Sequence, residues 1–309
     1  MLRTILVPLD GSRLAERALE YATAIAVPTA ARLILMRTVA ETEARHAAER
    51  YLNDTAFGLR QRGFDCDTAT PVGSAADWIV AEAESREVDL VAMSTHGRTG
   101  PGRWLFGSIA ESVVASCQVP VLVGRAWQPI RRAPLLTQRP TLLVPLDGSA
   151  FAESALWPAC RLADDLGGEL VLLRVEARAT DVLRDEFGRT IAYLDQQDKQ
   201  ARELAADYLN RAANGVRTQW PGLPVHTDTR LGTPAACIAE AAISTQAAMV
   251  FMATHGRTGL QRTVMGSVAG QVLEHGTTPL VLLRPAAAAT AASGQPSAGS
   301  ASHAAAYAG

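Results

Sequence analysis

The sequence predicts an α/β fold of two tandem domains, each a doubly wound, five-stranded parallel sheet. Short apolar runs alternate with amphipathic stretches of helical period, which is typical of strands joined by crossover helices. In addition, residues 6–12 (Leu-Val-Pro-Leu-Asp-Gly-Ser) return unchanged as residues 143–149, so the chain contains an internal duplication. With 309 residues, of which 48% are hydrophobic, the chain is long enough to form two cores.

The first half reads as five strands alternating with four helices. Each strand is a short apolar run, and each helix carries apolar residues at helical spacing, as Leu14, Ala18 and Ile25 do in the first helix. The predicted strands are 4–9, 32–38, 64–70, 88–93 and 120–124, and the predicted helices are 12–26, about 41–62, 74–85 and 107–117. Right-handed crossovers would place these helices on both faces of the sheet.

The second half repeats this order with one insertion. Equivalent residues lie 137 positions apart at Asp10 and Asp147 but 159 apart at Gly73 and Gly232, so the second half has 22 extra residues, all within 176–231. We expect the insertion to lengthen the helix there and to add a loop before it. The predicted apolar face of that helix comprises Leu194, Ala201, Leu204, Ala205, Tyr208 and Leu209.

Composition shifts divide the chain into four segments. Domain 1 is predicted at 1–126, a linker with three prolines at 127–140 and domain 2 at 141–285. The last segment, 286–309, is almost wholly Ala, Ser and Gly, and we expect it to be a disordered tail.

Charge and residue usage argue against several classes of protein. A net charge of −2 gives no reason to expect a nucleic-acid partner. No apolar run approaches the roughly 18 residues that would span a bilayer, and no signal peptide is evident, so we expect a cytoplasmic protein without a membrane partner. Lys199 is the only lysine and has no glycine around it, which excludes a Walker A loop.

The four cysteines are Cys66, Cys117, Cys160 and Cys237. Their wide spacing contains no C-x-x-C pair and no metal-ligand pattern. We therefore expect buried, unpaired cysteines and no metal site.

Two similar loops follow apolar strands at equivalent places. Residues 94–100 read S-T-H-G-R-T-G and residues 253–259 read A-T-H-G-R-T-G, and the Gly-Ser pairs at 107–108 and 266–267 open the next helices. Small residues let a ligand approach the backbone, and a helix N-terminus favours an anion. Because open α/β sheets bind ligands where strands end, the loops predict a phosphate site in each half.

Other polar residues near these loops have two readings each. Asp10 and Asp147 would accept hydrogen bonds from a ribose or an adenine, or would cap the following turn together with Ser12 and Ser149. The loop arginines at 98, 103, 257 and 262 would bind phosphate or be solvated. His96 and His255 lack a nearby serine and acid at a suitable spacing, which favours a structural role in the loop over catalysis.

From about residue 2 to 285 the sequence resembles the universal stress protein family, as a tandem member. Nucleotide-binding members carry G-x-x-G, nine residues, and then G-[ST]. The spacing from Gly97 to Gly107 and from Gly256 to Gly266 fits this pattern, but Ser94 and Ala253 replace its first glycine. A position that needed positive φ would be strained by these substitutions.

The resemblance implies a fold like that of the adenine nucleotide alpha hydrolases, with ATP, alone or with Mg²⁺, bound in each half. In the first half the implied site residues are Pro8, Asp10, Thr38, Met93, Ser94, Gly97, Arg98, Gly100, Arg103, Gly107, Ser108 and Ile109. In the second half they are Pro145, Asp147, Val175, Met252, Ala253, Gly256, Arg257, Gly259, Arg262, Gly266, Ser267 and Val268. Thr38, where the family often has valine, and the Pro-Gly interruption at 101–102 favour the second site over the first.

The function expected from this resemblance is that of a cytoplasmic, ATP-binding regulatory module of the stress response. Two alternatives stay open: a scaffold of the same fold without nucleotide, and a slow ATPase. The last strands, at 120–123 and 279–283, would lie at sheet edges, and the resemblance implies that such edges meet antiparallel. The two domains would then form an internal pseudo-dimer, with a homodimer of whole chains as a further expectation.

Overall fold

The structure, a computed structural model, describes residues 1–95, 107–125, 139–179, 183–184, 190–254 and 265–284. Its first half has the strands β1 (Thr4–Pro8), β2 (Arg32–Met36), β3 (Cys66–Ala69), β4 (Leu90–Thr95) and β5 (Val121–Arg125). The α-helices of its described part are α1 (Arg13–Thr29), α2 (Arg45–Gln61), α3 (Ala75–Ser85) and α4 (Ser108–Ser116). Every predicted element is present, and no end is displaced by more than four residues.

The second half repeats these elements. Its main strands are β6 (Thr141–Pro145), β7 (Glu169–Glu176), β10 (Val225–Leu231), β11 (Met249–Ala253) and β12 (Leu280–Leu283), and the short strands β8 (Leu183–Arg184) and β9 (Thr190–Ala192) lie in the insertion. The described helices are α5 (Ala150–Glu153), α6 (Leu156–Asp165), α7 (Leu194–Gln219), α8 (Pro234–Ser244) and α9 (Ser267–His275).

The first helix of the second half is broken where that of the first half is continuous. α5 ends after one turn, and α6 begins three residues later, just before Pro158. Proline has no N–H to donate to the carbonyl four residues earlier, which here belongs to Ser154. At the break, the Ser154 backbone N–H donates to the Ala150 carbonyl at 3.1 Å, and its hydroxyl donates to the Phe151 carbonyl at 2.5 Å.

The insertion lengthens a helix, as predicted, and adds a small sheet that was not predicted. α7 has 26 residues, whereas its counterpart α2 has 17. β8 and β9 pair antiparallel ahead of it, where the sequence indicated only a loop. The predicted apolar face was wrong at Leu194 and Leu204, which are 39% and 63% exposed. Ala205 and Leu209 of that face are buried, together with Ala213 and Val216.

All ten main strands belong to one sheet, in the order β10-β7-β6-β11-β12-β5-β4-β1-β2-β3. Within each half the pairs are parallel, as predicted for a doubly wound sheet. β5 and β12 pair antiparallel, with Leu122 opposite Val281, and thereby join the two halves.

Two apolar layers cover this sheet. One layer contains buried residues of α1, α2, α6 and α7, and the other contains buried residues of α3, α4, α8 and α9. The pleat divides β5 between them, because Leu122 belongs to the first layer, and Val121 and Val123 belong to the second. Both layers run through both halves.

Two of the predicted segments cannot be compared with the structure in full. Residues 127–138 of the predicted linker and the whole tail at 286–309 lie outside the described residues. No helix in the described part of the chain is long and apolar enough to cross a membrane.

All four cysteines are free and buried, as predicted. Burial raises the pKa of the Cys66 thiol to about 11 and that of Cys160 to about 12, and it also raises the pKa of Cys117 and Cys237. The thiolate is the reactive form, so these thiols are protected by both inaccessibility and protonation.

We predict that iodoacetamide at about pH 8 labels none of the four cysteines of the folded protein within minutes and all four in urea. Intact-mass spectrometry measures the number of adducts. Rapid labelling of Cys160 without denaturant would contradict the buried position of α6.

Candidate functional site

The strand order creates one gap in each half where a ligand can enter. Successive strands run in one direction from β1 to β3, and then the chain crosses back to place β4 on the other side of β1. β6 and β11 are related in the same way in the second half. Ligands of open α/β sheets bind outside the carboxyl ends of such a strand pair. Asp10 and Asp147, which occupy equivalent positions in the two repeats, follow β1 and β6 at these points.

A cavity of about 360 Å³ lies at this point in the second half. This volume is within the range of about 300–1,000 Å³ that is typical of small-molecule sites. The cavity lies between the ends of β6, β7 and β11 and the helices α8 and α9. It is lined by Pro145, Leu146, Asp147, Ala152, Leu173, Val175, Pro234, Ile238, Met252, Ala253, Thr254, Gly266, Ser267, Val268 and Ala269.

Every described second-half residue that the sequence singled out lines this cavity. These residues are Pro145, Asp147, Val175, Met252, Ala253, Gly266, Ser267 and Val268. Gly256, Arg257, Gly259 and Arg262 lie outside the described residues, as does His255. The sequence reasoning missed the apolar wall formed by Leu173 of β7 and by Pro234 and Ile238 of α8, since these residues belong to no motif.

Asp147 holds the turn that begins this site. Its Oδ1 accepts hydrogen bonds from the Ser149 backbone N–H at 2.9 Å and from the Ser149 hydroxyl at 2.5 Å. The Ser149 Oγ in turn accepts from the Ala152 N–H at 3.1 Å and caps α5. Gly148 lies between them with a φ of 78°, which favours glycine. The capping role is therefore present, and Asp147 also faces the cavity.

The N-terminus of α9 forms the opposite wall. Gly266 is the N-cap residue, and no side chain caps this helix. Its φ of −60° shows that the glycine is not required by a left-handed backbone. The Gly266 N–H donates to the Thr254 carbonyl and is therefore not available to a ligand. The donors at this end are those of the first turn, Ser267 to Ala269, where the helix dipole favours an anion.

The first half places its described candidates around the equivalent gap. Pro8 ends β1 and Asp10 follows two residues later, and Met93 and Ser94 lie within the last three residues of β4. Ser12 donates its N–H to Asp10 Oδ1 at 2.8 Å and caps α1 through its hydroxyl. Three further candidates, Gly107, Ser108 and Ile109, open α4, and Thr38 follows β2. Gly97, Arg98, Gly100 and Arg103 lie outside the described residues, as does His96.

Ser94 and Ala253 occupy equivalent positions with different contacts. The Ser94 hydroxyl donates to the Leu14 carbonyl of α1 and so ties β4 to that helix. Ala253 has no hydroxyl and lines the cavity. Neither residue is among the described positions with positive φ, which are Ala30, Glu87, Gln246 and six glycines, so the anticipated backbone strain does not arise.

Comparison with known proteins agrees with this geometry. A model of the universal stress protein family matches the chain twice, over residues 1–125 and 139–284. The chain belongs to the universal stress protein family.

Relatives of this universal stress protein match it over stretches that are longer than either half. A universal stress protein of Mycolicibacterium smegmatis is 28% identical over 246 residues, which cover 79% of this chain and 78% of that protein. One of Mycobacterium tuberculosis is 26% identical over 200 residues, covering 65% of this chain and 63% of that protein. The crystal structure of a universal stress protein from Archaeoglobus fulgidus has a TM-score of 0.65 at 21% identity, over 91% of this chain and 98% of its own, which shows a common fold.

Each half of this universal stress protein contains a half-buried contact of a tyrosine with an arginine and a glutamate. The Tyr51 hydroxyl donates to Glu16 Oε1 at 2.9 Å, and the Arg37 guanidinium lies 5.2 Å from the Tyr51 ring centroid. Arg37 also packs against the turn that follows Asp10, since a Cβ at Gly11 would lie only 2.8 Å from its Nη1.

The second half contains the same contact. The Tyr208 hydroxyl donates to Glu153 Oε1 at 2.8 Å, and Arg174 lies 5.1 Å from the ring centroid. The two tyrosines are 157 positions apart and the two arginines 137, so the contact is kept although most of the insertion lies between Arg174 and Tyr208. The sequence reasoning missed this group because the insertion hides the equivalence of the tyrosines.

Burial raises the pKa of both tyrosines above the ordinary value, and the neighbouring glutamate raises it further. Each hydroxyl therefore stays protonated, and can donate a hydrogen bond to the glutamate, up to strongly alkaline pH. In the described residues no group of three or more His, Cys, Asp or Glu side chains is placed to hold a metal ion.

We predict that Tyr208→Phe lowers the free energy of unfolding by about 1 kcal/mol, because the Glu153 carboxylate loses a hydrogen bond. Because the folded-state pKa of Tyr208 is raised, its contribution is complete below the unfolded pKa of about 10 and decreases as the pH rises above it. Urea denaturation at about pH 8 and pH 11 measures both effects. The variant should lose less stability than the parent between these pH values, and an equal loss would contradict the assignment. Tyr307→Phe, in the tail at 286–309 that the sequence predicts to be disordered, is the control.

Proposed function

We propose that this universal stress protein binds an adenine nucleotide, ATP in particular, in the cavity of its second half, and that the bound nucleotide regulates its interactions in the stress response. The observation that carries the proposal is the cavity itself. It combines an apolar wall, a carboxylate and an uncapped helix N-terminus in one space of about 360 Å³.

The wall and the carboxylate suit a nucleoside. Leu173, Val175 and Ile238 offer the apolar surface that a flat base needs. Asp147 uses Oδ1 for the turn, and we assign its Oδ2 to the ribose hydroxyls. Because the turn already holds the carboxylate in place, binding would cost little side-chain ordering.

The helix end suits the phosphates. The first-turn N–H groups of α9 and the hydroxyl of Ser267 would donate to phosphate oxygens, and the helix dipole adds to the attraction. Mg²⁺ would bind with the phosphates as their counter-ion. The loop arginines, Arg257 and Arg262, belong to the proposal on the strength of the family resemblance.

In this proposal the site of the first half is the weaker one. The Ser94 hydroxyl already donates a hydrogen bond to the Leu14 carbonyl of α1, and Thr38 occupies the position that Val175 has in the second half. We therefore assign one nucleotide to each chain.

Membership in the family and the four buried, free cysteines support a role in the cytoplasm, where thiols stay reduced. The β5–β12 junction supports the description of the halves as an internal pseudo-dimer, and association of whole chains into a homodimer is a further part of the proposal.

Calorimetric titration of the full chain with ATP, with and without Mg²⁺, tests the proposal. We predict one site per chain and about tenfold or more weaker binding in Asp147→Asn, because a hydrogen bond to a charged group is lost, and Asn still caps the turn. Asp10→Asn makes the same change in the first half and should leave affinity within about twofold. No binding would favour the nucleotide-free scaffold, and phosphate release that Asp147→Asn abolishes would favour the slow ATPase.

A second substitution tests whether the missing glycine of the family pattern matters. Ala253 ends β11 without positive φ and lines the cavity with a single methyl group. We predict that Ala253→Gly changes ATP affinity by no more than about twofold. A large gain would show that the methyl group obstructs the phosphates.

A further inference from the structure

A second large cavity of the described structure lies between the two halves. It shares no lining residue with the cavity beside Asp147. Its volume is about 450 Å³, larger than the cavity beside Asp147. Its first-half wall includes Leu2, Leu90 and Pro120, at the amino ends of β1, β4 and β5. Its second-half wall comes from α6, the end of α7 and the middle of β11. Ligand sites occur preferentially at such interfaces between domains.

Three of the twelve lining residues are aromatic, and all three belong to the second half. The rings of Trp157 and Trp220 lie 4.9 Å apart between centroids, at 38° to each other, and Phe251 lines the same space. Trp157 is 45% exposed although it faces the cavity. An indole left in contact with water beside another apolar wall has surface that a ligand can bury.

The duplication shows that this lining is not a requirement of the fold. Glu20, 137 positions earlier, is the counterpart of Trp157, and Ala92, 159 positions earlier, is the counterpart of Phe251. The same framework is therefore built in the first half with a charged residue and a small residue. Trp157 and Phe251 are therefore specific to the second half.

Charges at the rim are already paired. Arg161 Nη2 lies 3.6 Å from Asp89 Oδ1 and donates to the Met1 carbonyl at 3.3 Å. Asp165 accepts from the Leu2 N–H, and its other oxygen lies 3.6 Å from the Met1 amino group. Asp89 Oδ2 also accepts from the Arg3 N–H at 2.7 Å. A charged ligand would have to compete with these pairs, whereas an uncharged one would not.

We propose that this cavity binds an uncharged, planar aromatic small molecule. Its rings would pack against Trp157 and the apolar wall, and the Gln219 amide at the rim would be the polar group that orients it. The site is independent of the nucleotide cavity, since the two linings share no residue. Because both halves contribute to the wall, the ligand would also stabilise their contact.

Titration of the full chain with phenylnaphthylamine, an uncharged aromatic fluorophore, tests the proposal. We expect saturable binding of one probe per chain, with quenching of tryptophan emission. Anilinonaphthalene sulfonate, which has similar rings and a negative charge, should bind about tenfold more weakly. Preference for the sulfonate would contradict an uncharged ligand.

Variants locate the probe. Trp157→Glu installs the residue that the first half has at the equivalent position, so we expect it to fold, and it should weaken binding about tenfold through loss of a ring contact. Trp157→Phe keeps a ring and should fall between the two. Phe57→Glu exchanges a 62% exposed aromatic residue of α2 outside the cavity and should leave binding unchanged. Unchanged binding in Trp157→Glu, with far-ultraviolet circular dichroism showing a folded chain, would overturn the proposal, as would non-saturable binding.

Discussion

The parallel pairing of β6 with β11 is the constraint on which the candidate site depends. Parallel strands place their carboxyl ends at one edge, so the Asp147 turn and the residues that lead to α9 face each other across one gap. Neither segment forms a site alone. The turn supplies a fixed carboxylate, and the helix supplies donors that its own backbone leaves unsatisfied. The sheet places the carboxylate and the helix donors on opposite sides of the gap, and apolar side chains of β7 and α8 line the rest of the cavity.

Duplication has preserved the framework of this site more strictly than its lining. Both halves keep the Asp-Gly-Ser turn, the helix cap and the half-buried tyrosine with its arginine and glutamate. They differ in residues that face the gap, of which Ser94 and Ala253 are the clearest pair. The Ser94 hydroxyl donates a hydrogen bond to α1, whereas the Ala253 methyl group lines the cavity. The two halves therefore share a fold while offering different surfaces to a ligand.

Much of this architecture follows from local patterns in the sequence. Strands such as Thr4–Pro8 are short apolar runs between turn residues, and the repeated Asp-Gly-Ser turns mark the carboxyl ends of β1 and β6. Features that depend on distant segments were not predictable in this way. The β8–β9 pair has too few residues to show a period, the exposure of Leu204 depends on how α7 is seated, and the Gly266 N–H is taken by a carbonyl twelve residues earlier in the chain. The cavity around Trp157 requires both halves, so no single stretch of sequence reveals it.

The most direct measurement is the crystal structure of the full chain grown with ATP and Mg²⁺. The account predicts an adenine against Val175 and Ile238, a ribose hydroxyl within hydrogen-bond distance of Asp147, and phosphates at the first turn of α9. Nucleotide bound elsewhere, or a second-half cavity that holds only water at saturating ATP, would contradict it.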